Sequence, residues 1–321
     1  MHSLDLNVRV VARHAEADGI VSFELASADG RALPAFTAGA HIDVQVPGGL
    51  LRQYSLANAP GECHRYLIGV LREPHSRGGS AAMHEALAVG DLLRISAPRN
   101  HFELDLSARR TLLFAGGIGV TPLIAMAETL QHRGADFAMH YCSRSPARTA
   151  FTARIRDSSF APRVHLHFDD GPAEQRLDLR SALGLPHAGT HVYVCGPAGF
   201  MQFVLDGARD AGWTAAQLHS EYFAAQPRDT TRDTAFAVRL NRSGKVVDIP
   251  ADVTVVRALA DAGVHVATSC EQGVCGTCLT RILAGEPEHR DAYLTDEERA
   301  RNDQFLPCCS RARTPLLVLD L

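Results

Sequence analysis

From Val8 to about Ser96 apolar residues come in short runs, at Val8–Val11, Ile20–Leu25, His41–Val46, Leu51–Leu56, Tyr66–Leu71 and Asp91–Ser96. Turn signals such as Pro47-Gly48-Gly49 separate them, and six strands over so short a stretch predict a small antiparallel barrel. After Leu106 the pattern changes. Apolar runs at Thr111–Ala115, Phe137–Cys142, Val164–Phe168, Thr190–Cys195 and Leu218–Phe223 alternate with helical or loop segments. That alternation predicts parallel βαβ units and a doubly wound sheet. Its first helix is marked by Thr121 as a cap, Pro122 in the first turn and Gly134 past the end. The polar stretch Ala224–Asp233 has no periodicity and reads as a linker. Beyond it, Ala235–Asn241 and Lys245–Pro250 flank Arg242-Ser243-Gly244 as a hairpin, and Thr254–Ala262 has helical spacing. Thr295 and Glu298 form a capping box for one more helix.

The chain thus reads as multidomain, β then α/β then α+β. A barrel occupies 1–105, a doubly wound parallel-sheet nucleotide domain 106–225, a linker 226–233, and a third domain 234–321. A length of 321 residues suits such a division, since single cores stop growing near 250–300 residues. With 46% hydrophobic and 21% charged residues the composition is that of an ordinary globular protein. No apolar run approaches the roughly 18 residues of a membrane span, so no membrane partner is expected. The net charge of −4 is spread without a basic cluster, which argues against nucleic acid. The start, MHSLDLNVRV, has no signal segment, so a cytoplasmic location is expected. In that compartment the eight cysteines point to metal or catalytic use rather than to disulfides.

Four of them carry a pattern. Cys270, Cys275 and Cys278 are followed, after 29 intervening residues, by Cys308. This C-x4-C-x2-C plus a distant fourth thiolate is the plant-type spacing of a 2Fe-2S cluster. Gly273 and Gly276 would let backbone N–H groups approach the sulfurs. The competing reading is a zinc site, which usually pairs one C-x2-C with another or with two histidines. Cys309 can replace Cys308 by a one-residue shift, although the spacing favours Cys308.

Two glycine turns form a second constellation. Gly116-Gly117-Ile118-Gly119-Val120-Thr121-Pro122 follows a predicted strand and opens a helix, where a pyrophosphate can sit on the helix N-terminus. Cys195-Gly196-Pro197 ends a later strand of the same sheet, the edge at which open α/β folds bind ligands. A third constellation is Arg52-Gln53-Tyr54-Ser55-Leu56 in the barrel, with Gly78-Gly79-Ser80 before a short helix. Arginine, tyrosine and serine there can meet a phosphate, an isoalloxazine edge and the flavin N5; alone, the stretch is also a plain strand.

Taken in order, RQYSL, GGS, GGIGVTP, CGP, EYF and CEQGVCGTC resemble the phthalate dioxygenase reductase family over essentially the whole chain, and most of all its vanillate demethylase reductase branch. The resemblance implies an antiparallel flavin-binding barrel holding FMN, an NADH-binding domain and a C-terminal plant-type ferredoxin of β-grasp fold. It also implies electron delivery to a terminal Rieske non-haem iron oxygenase; the rival readings are a reductase for a monooxygenase acting on an alkylamine or quaternary ammonium compound, and a zinc-stabilised nucleotide-binding interaction protein. Carried onto this sequence, it places Arg52, Tyr54, Ser55 and Leu56 at the flavin and Gly78, Gly79 and Ser80 at its phosphate. Gly116, Gly117, Gly119 and Thr121 would hold NADH, with Cys195, Gly196 and Pro197 beside the nicotinamide. Glu221 and Phe223 would complete the flavin site, and Tyr222 is the weakest part of the match. No side chain is implied as an acid or base.

Other residues read more plainly. Pro186 and Gly189 argue against a helical metal pair at His187 and His191. His165 and His167 should share one sheet face, Cys63 and Cys142 should be small buried residues, and Asp169-Asp170-Gly171 a solvated turn. Ser143 and Arg144 end a strand where a 2′-phosphate would bind.

Overall fold

The computed structural model of the chain describes residues 4–73, 78–223 and 233–321. They fall into two compact units, the first ending at Phe223 and the second taking up everything from Asp233 onward. The predicted linker lies outside the described residues except for Asp233, whose carboxylate accepts two hydrogen bonds from Arg290 at 2.6 and 2.9 Å.

The first unit opens with an antiparallel barrel. Its strands are β1 (Leu6–Ala17), β2 (Ile20–Ser27), β3 (Ala40–Gln45), β4 (Leu51–Ser55), β5 (Tyr66–Leu71), β6 (Leu92–Ile95) and β7 (Arg99–Asn100). They run in the order β4-β3-β6-β1-β2-β5, with β7 also on β3. A bridge between Leu56 and Ile68, and the bond from Ala57 N to Leu67 O at 2.8 Å, join the two ends of the sheet. Closure removes the unpaired edges that an open sheet would expose. Inside lie Val8, Phe23, Ile42, Leu56 and Ile68, capped by Met83 of α1 (Gly79–Ala86). β1 is longer than predicted because its register slips between Val10 and Ala12. The slip leaves Val11, 44% exposed, without a partner on β2, and the strand runs on past the apolar run that predicted it.

The same unit continues through β8 (Arg110–Gly116), α2 (Val120–His132), β9 (Asp136–Ser143), α3 (Thr152–Arg156) and β10 (Val164–Phe168). It is completed by α4 (Leu179–Leu183), β11 (Thr190–Cys195), α5 (Ala198–Asp210) and β12 (Leu218–Glu221). The five strands are parallel in the order β10-β9-β8-β11-β12, so the order reverses beside β8 and a crevice opens at the strand ends there. Alternating residues feed two cores. Leu113 and Ala115 pack with α2, whereas Leu112 and Phe114 pack with α4 and α5. Thr121 is not the cap of α2: the helix already begins at Val120, and the Thr121 hydroxyl donates to Ile118 O at 3.1 Å. At the other end Gly134 behaves as predicted, with φ 64° and the Gly134 N and Ala135 N bonds to Gln131 O and Leu130 O that close a Schellman turn.

The second unit is a β-grasp. β13 (Phe236–Leu240) and β14 (Val246–Ile249) form the expected hairpin, and α6 (Val255–Asp261) buries Val255, Ala258 and Leu259. Thr254 caps α6 by accepting from Arg257 N. β15 (Thr280–Ala284), β16 (Pro287–Glu288), α7 (Asp296–Ala300), β17 (Gln304–Phe305), β18 (Arg311–Ala312) and β19 (Leu316–Leu319) follow. The main sheet runs β14-β13-β19-β15-β17 with β13 and β19 parallel, and the Thr295–Glu298 capping box is present at α7. Among the described residues no helix is long and apolar enough to cross a membrane.

Candidate electron-transfer sites

β4 distributes the Arg52–Leu56 motif to both of its faces, as a strand must. Arg52 lies against the N-terminus of α1: a methyl group on Gly79 would stand 2.6 Å from Arg52 Nε, so a larger residue there would displace the arginine side chain. Gly78 caps that helix at φ 91°, and Ser80, buried in its first turn, accepts from Glu73 N at 3.1 Å. Tyr54 packs against the barrel core with its hydroxyl buried and without a hydrogen-bond partner; burial pushes its phenol upward. Leu56 is fully buried in the barrel core. Ser55 faces the other way, where its hydroxyl donates to Glu221 Oε2 at 3.4 Å.

That contact joins the barrel to the end of β12. β11 and β12 pair Cys195 with Glu221 and Tyr193 with His219, so all four side chains share one face of the sheet. Burial pushes the Glu221 carboxyl up to about 8, only partly offset by the Ser55 hydroxyl. Burial, with Glu221 next to it, pushes the Cys195 thiol well up too. Phe223 is 39% exposed just beyond the strand.

The two glycine turns meet at the crevice. A methyl on Gly119 would collide with the Cys195 carbonyl and stand 2.6 Å from Gly196 N. One on Gly116 would stand 2.6 Å from the Phe200 ring and 3.0 Å from Pro197. Gly117 sits at φ 52° in open space, so its need for glycine is conformational. Sequence reading missed what holds this turn against the barrel. Gly69 of β5 leaves room for the Thr121 methyl at 2.9 Å and the Phe151 ring at 3.0 Å from where its Cβ would be. Phe151 is buried at φ 59°, a strained value for a large side chain, and its N–H donates to Glu16 Oε2 at 3.1 Å. Only the tertiary contact supports that backbone, so no local signal announces it.

In the second unit, Cys275, Cys278 and Cys308 are buried and Cys270 half-buried. The Cys270 thiol is within hydrogen-bonding reach of Cys275 and Cys308, and Cys308 also of Cys278 and Cys309. Hydrogen bonds from Cys275 and Cys308 draw Cys270 well below the usual thiol range, while sharing those protons pushes Cys275 and Cys308 up. Gln272 N donates to Cys270 Sγ at 3.3 Å. The loop achieves this with Glu271, Gly273 and Gly276 at φ 53°, 76° and 69°. Its outer wall was not foreseen: a methyl on Gly276 would strike the Tyr293 ring, and one on Gly273 would strike Cys309 Sγ and stand 3.0 Å from Asp291 Cα. The buried Asp291 carboxylate in turn accepts from Tyr293 N and Leu294 N at 3.2 and 2.8 Å.

Some minor expectations fare differently. His165 and His167 do share a face, both stacked on His140 at centroid distances of 5.0 and 5.3 Å. Cys63 is exposed rather than buried, because it falls in the turn region between β4 and β5 and not in a strand. The Ser143 hydroxyl is buried and engaged with Thr149 Oγ1 at 2.6 Å.

Comparison with known proteins agrees with this anatomy. Residues 238–313 match the 2Fe-2S iron-sulfur cluster binding domain family, which favours iron–sulfur over zinc at the thiols. Residues 94–218 match the N-terminal domain of the dimethylamine monooxygenase subunit DmmA-like family. The vanillate O-demethylase oxidoreductase of Pseudomonas putida is 58% identical over 97% of this chain and 98% of its own. A solved phthalate dioxygenase reductase, described as modular for electron transfer from pyridine nucleotides to [2Fe-2S], shares 39% identity over 98% of both chains, with a TM-score of 0.75. An intact type IV self-sufficient cytochrome P450 monooxygenase also shares 39% identity at a TM-score of 0.87, over 98% of this chain and 41% of that longer one. Likeness of this degree over almost the full length makes the chain a member of the phthalate dioxygenase reductase family, the oxidoreductase component of an oxygenase system.

Proposed function

We propose that this chain carries electrons from NADH through FMN and a 2Fe-2S cluster to a terminal Rieske non-haem iron oxygenase that oxidises or demethylates an aromatic substrate, in the cytoplasm. Residues 1–105 then hold FMN, 106–225 hold NADH, 226–233 link, and 234–321 hold the cluster. When bound, the flavin takes two electrons at once from NADH and releases them singly, as a one-electron cluster requires.

This chain's residues bind and orient. Arg52 beside the N-terminus of α1, with Gly78, Gly79 and Ser80, suits a phosphate, and the orphaned Tyr54 hydroxyl suits a polar group of the flavin. Gly116, Gly117, Gly119 and Thr121 cradle the pyrophosphate, and Cys195, Gly196 and Pro197 line the nicotinamide end. Ser55, Leu56, Glu221 and Phe223 border the flavin. The Ser143 hydroxyl is already engaged with Thr149 and is not offered to a 2′-phosphate.

The observation that carries the proposal is the order of thiol contacts, Cys275 to Cys270 to Cys308 to Cys278. A paired arrangement suits two irons with two thiolates each. It also supports Cys308, which reaches both Cys270 and Cys278, over Cys309, whose sulfur reaches Cys308 and donates to Leu306 O at 3.7 Å. Iron and acid-labile sulfide analysis with anaerobic NADH titration should count about three electrons per chain. Cys275→Ser should lose the cluster's absorption while NADH still bleaches the flavin; loss of both would break the assignment.

The match of residues 94–218 to dimethylamine monooxygenase subunits favours a second reading, in which the partner oxidises an alkylamine. Reconstitution with each type of oxygenase decides between them by which one turns over.

A further inference from the structure

The loop after β9 meets the barrel at a strained residue. Phe151 has a φ of 59°, a backbone region that a large side chain enters only when its surroundings impose it, and its ring is 1% exposed. Glu16, near the end of β1, imposes it. One carboxylate oxygen of Glu16 accepts from Phe151 N at 3.1 Å, and the other accepts from the Ser22 hydroxyl on β2 at 2.6 Å, which fixes the carboxylate to the hairpin that carries it. Backbone strain of this kind clusters at sites that use it.

The Phe151 ring sits where the barrel meets the glycine turn of the nucleotide sheet. It shares one core with Leu67 of β5 and with Val120 and Ile124 of α2. Two residues along β5 from Leu67, and so on the same face, Gly69 is bare: a Cβ there would stand 2.9 Å from the Thr121 methyl and 3.0 Å from the Phe151 ring. Ring and methyl are thus seated together on one barrel strand, and the Thr121 hydroxyl donates back into the turn, to Ile118 O at 3.1 Å. We infer that Glu16 is a positioning residue for hydride transfer: by holding Phe151 in the left-handed region it seats the start of α2, and the dinucleotide held there, against the flavin in the barrel. The inference rests on the placement of NADH at Gly116–Thr121 and of FMN at Arg52–Ser55 proposed above. Hydride passes between reacting atoms held about 3–3.5 Å apart, and the turn and the barrel each carry one of the two partners.

Other ties hold the loop on either side of Phe151. Asp18 N donates to Ala147 O at 2.9 Å, and Ala150 N donates to the Tyr141 hydroxyl at 3.1 Å. Arg154 of α3 lies 3.6 Å from Glu62 of the barrel and 3.3 Å from Glu128 of α2. None of these satisfies the Phe151 amide. With Glu16 replaced they survive, so the loop stays attached and the fold stands. What goes is the acceptor that makes φ 59° tenable: the Phe151 backbone relaxes toward negative φ, and its ring leaves the seat beside Thr121.

The test compares Glu16→Ala with Glu16→Gln in the full-length flavin-loaded protein; the glutamine amide oxygen can still accept from Phe151 N. Anaerobic mixing with saturating NADH should show the limiting rate of flavin bleaching lowered about tenfold or more in Glu16→Ala, against the roughly hundredfold that a misplacement of about 1 Å costs. NADH affinity should hold, the charge-transfer absorbance of nicotinamide on flavin should weaken, and Glu16→Gln should restore both rate and absorbance. Gly69→Ala, which pushes Thr121 and Phe151 off the strand directly, should lower the limiting rate in the same way with Glu16 in place, and it is read by the same outcomes if Glu16→Ala does not fold. An unchanged limiting rate would overturn the positioning role, and so would a loss that Glu16→Gln does not restore, or a loss of NADH affinity in place of rate. Wild-type protein that binds no flavin, or whose flavin NADH fails to bleach, would instead remove the underlying assignment.

Discussion

The Gly116–Gly119 turn and the cysteine loop are both glycine-rich, yet they are built in opposite ways. At the turn, Gly119 is closed in by backbone, the Cys195 carbonyl and Gly196 N, and Gly116 by the Pro197 and Phe200 rings. The turn keeps its shape through main-chain contact between two strand ends. In the cysteine loop, Gly273 and Gly276 are closed in by Cys309, Asp291 and Tyr293. Its thiols find hydrogen-bond partners mainly among one another. On the roles proposed above, a cradle for a dinucleotide that comes and goes has to stand complete by itself, whereas a loop that keeps its cluster can leave part of its cohesion to the metal.

The largest effect should come from Gly119→Ala. Backbone is the obstacle, and neither strand end can retreat without breaking the β8–β11 pairing, so about 3 kcal/mol or more should be lost. Thermal unfolding of the first unit should move down and NADH binding should vanish. Wild-type behaviour would show that the turn is softer than its contacts imply. Gly276→Ala sharpens the contrast, since its obstacles are the Tyr293 ring and a φ of 69°. Alone it should cost about 2 kcal/mol of second-unit stability; paired with Tyr293→Ala, relief of the collision should recover part of that, leaving about 1 kcal/mol of backbone strain. A double-mutant cycle with no coupling would mean that the ring does not shape the loop.

The sequence was legible where local pattern and tertiary structure agree. Strands made of short apolar runs bounded by turns, such as β2 and β5, fell close to where those runs put them, and the cysteine spacing exposed the loop because thiolate chemistry tolerates few arrangements. What stayed hidden came from contacts between distant segments. The slip at Val11 hid the true length of β1, and Thr121, chosen as a cap by residue type, turned out to be second in its helix with its methyl packed on Gly69. Phe151 carries its strain for a partner 135 residues away, Glu16. Tyr293 and Asp291, the outer wall of the cysteine loop, form no motif with the cysteines in sequence.

Two titratable groups of the first unit, Glu221 and His140, are pushed toward their neutral forms by burial, which gives that unit two pH limits. Glu221 has its folded value raised from 4.5 to about 8, so the folded state binds the proton more tightly than the unfolded one. Its contribution to stability is therefore full below about 4.5 and is lost as pH rises through about 8. Glu221→Gln should flatten that alkaline slope in denaturant titrations of the protein, and a slope that persists would place its origin elsewhere.

The smallest effect belongs to His140, and it has the opposite sign. Burial, then the stacked His167 and His165 and the nearby Arg110, lower its folded value from 6.5 to about 4. The unfolded chain then takes the proton first. Stability is present above 6.5 and drains away as pH falls toward 4. His140 Nδ1 lies 3.0 Å from His167 Nε2 and its ring stacks on Phe114 at 5.1 Å, so protonation would place a cation between apolar and like-charged neighbours. His140→Phe keeps the stack, loses one hydrogen bond, and should lower stability slightly at neutral pH while making the first unit the more acid-resistant of the two proteins compared. Crossing of the wild-type and variant stability curves as the solution is acidified is the expected result; parallel curves would mean that His140 is wet enough to titrate as it does in the unfolded chain.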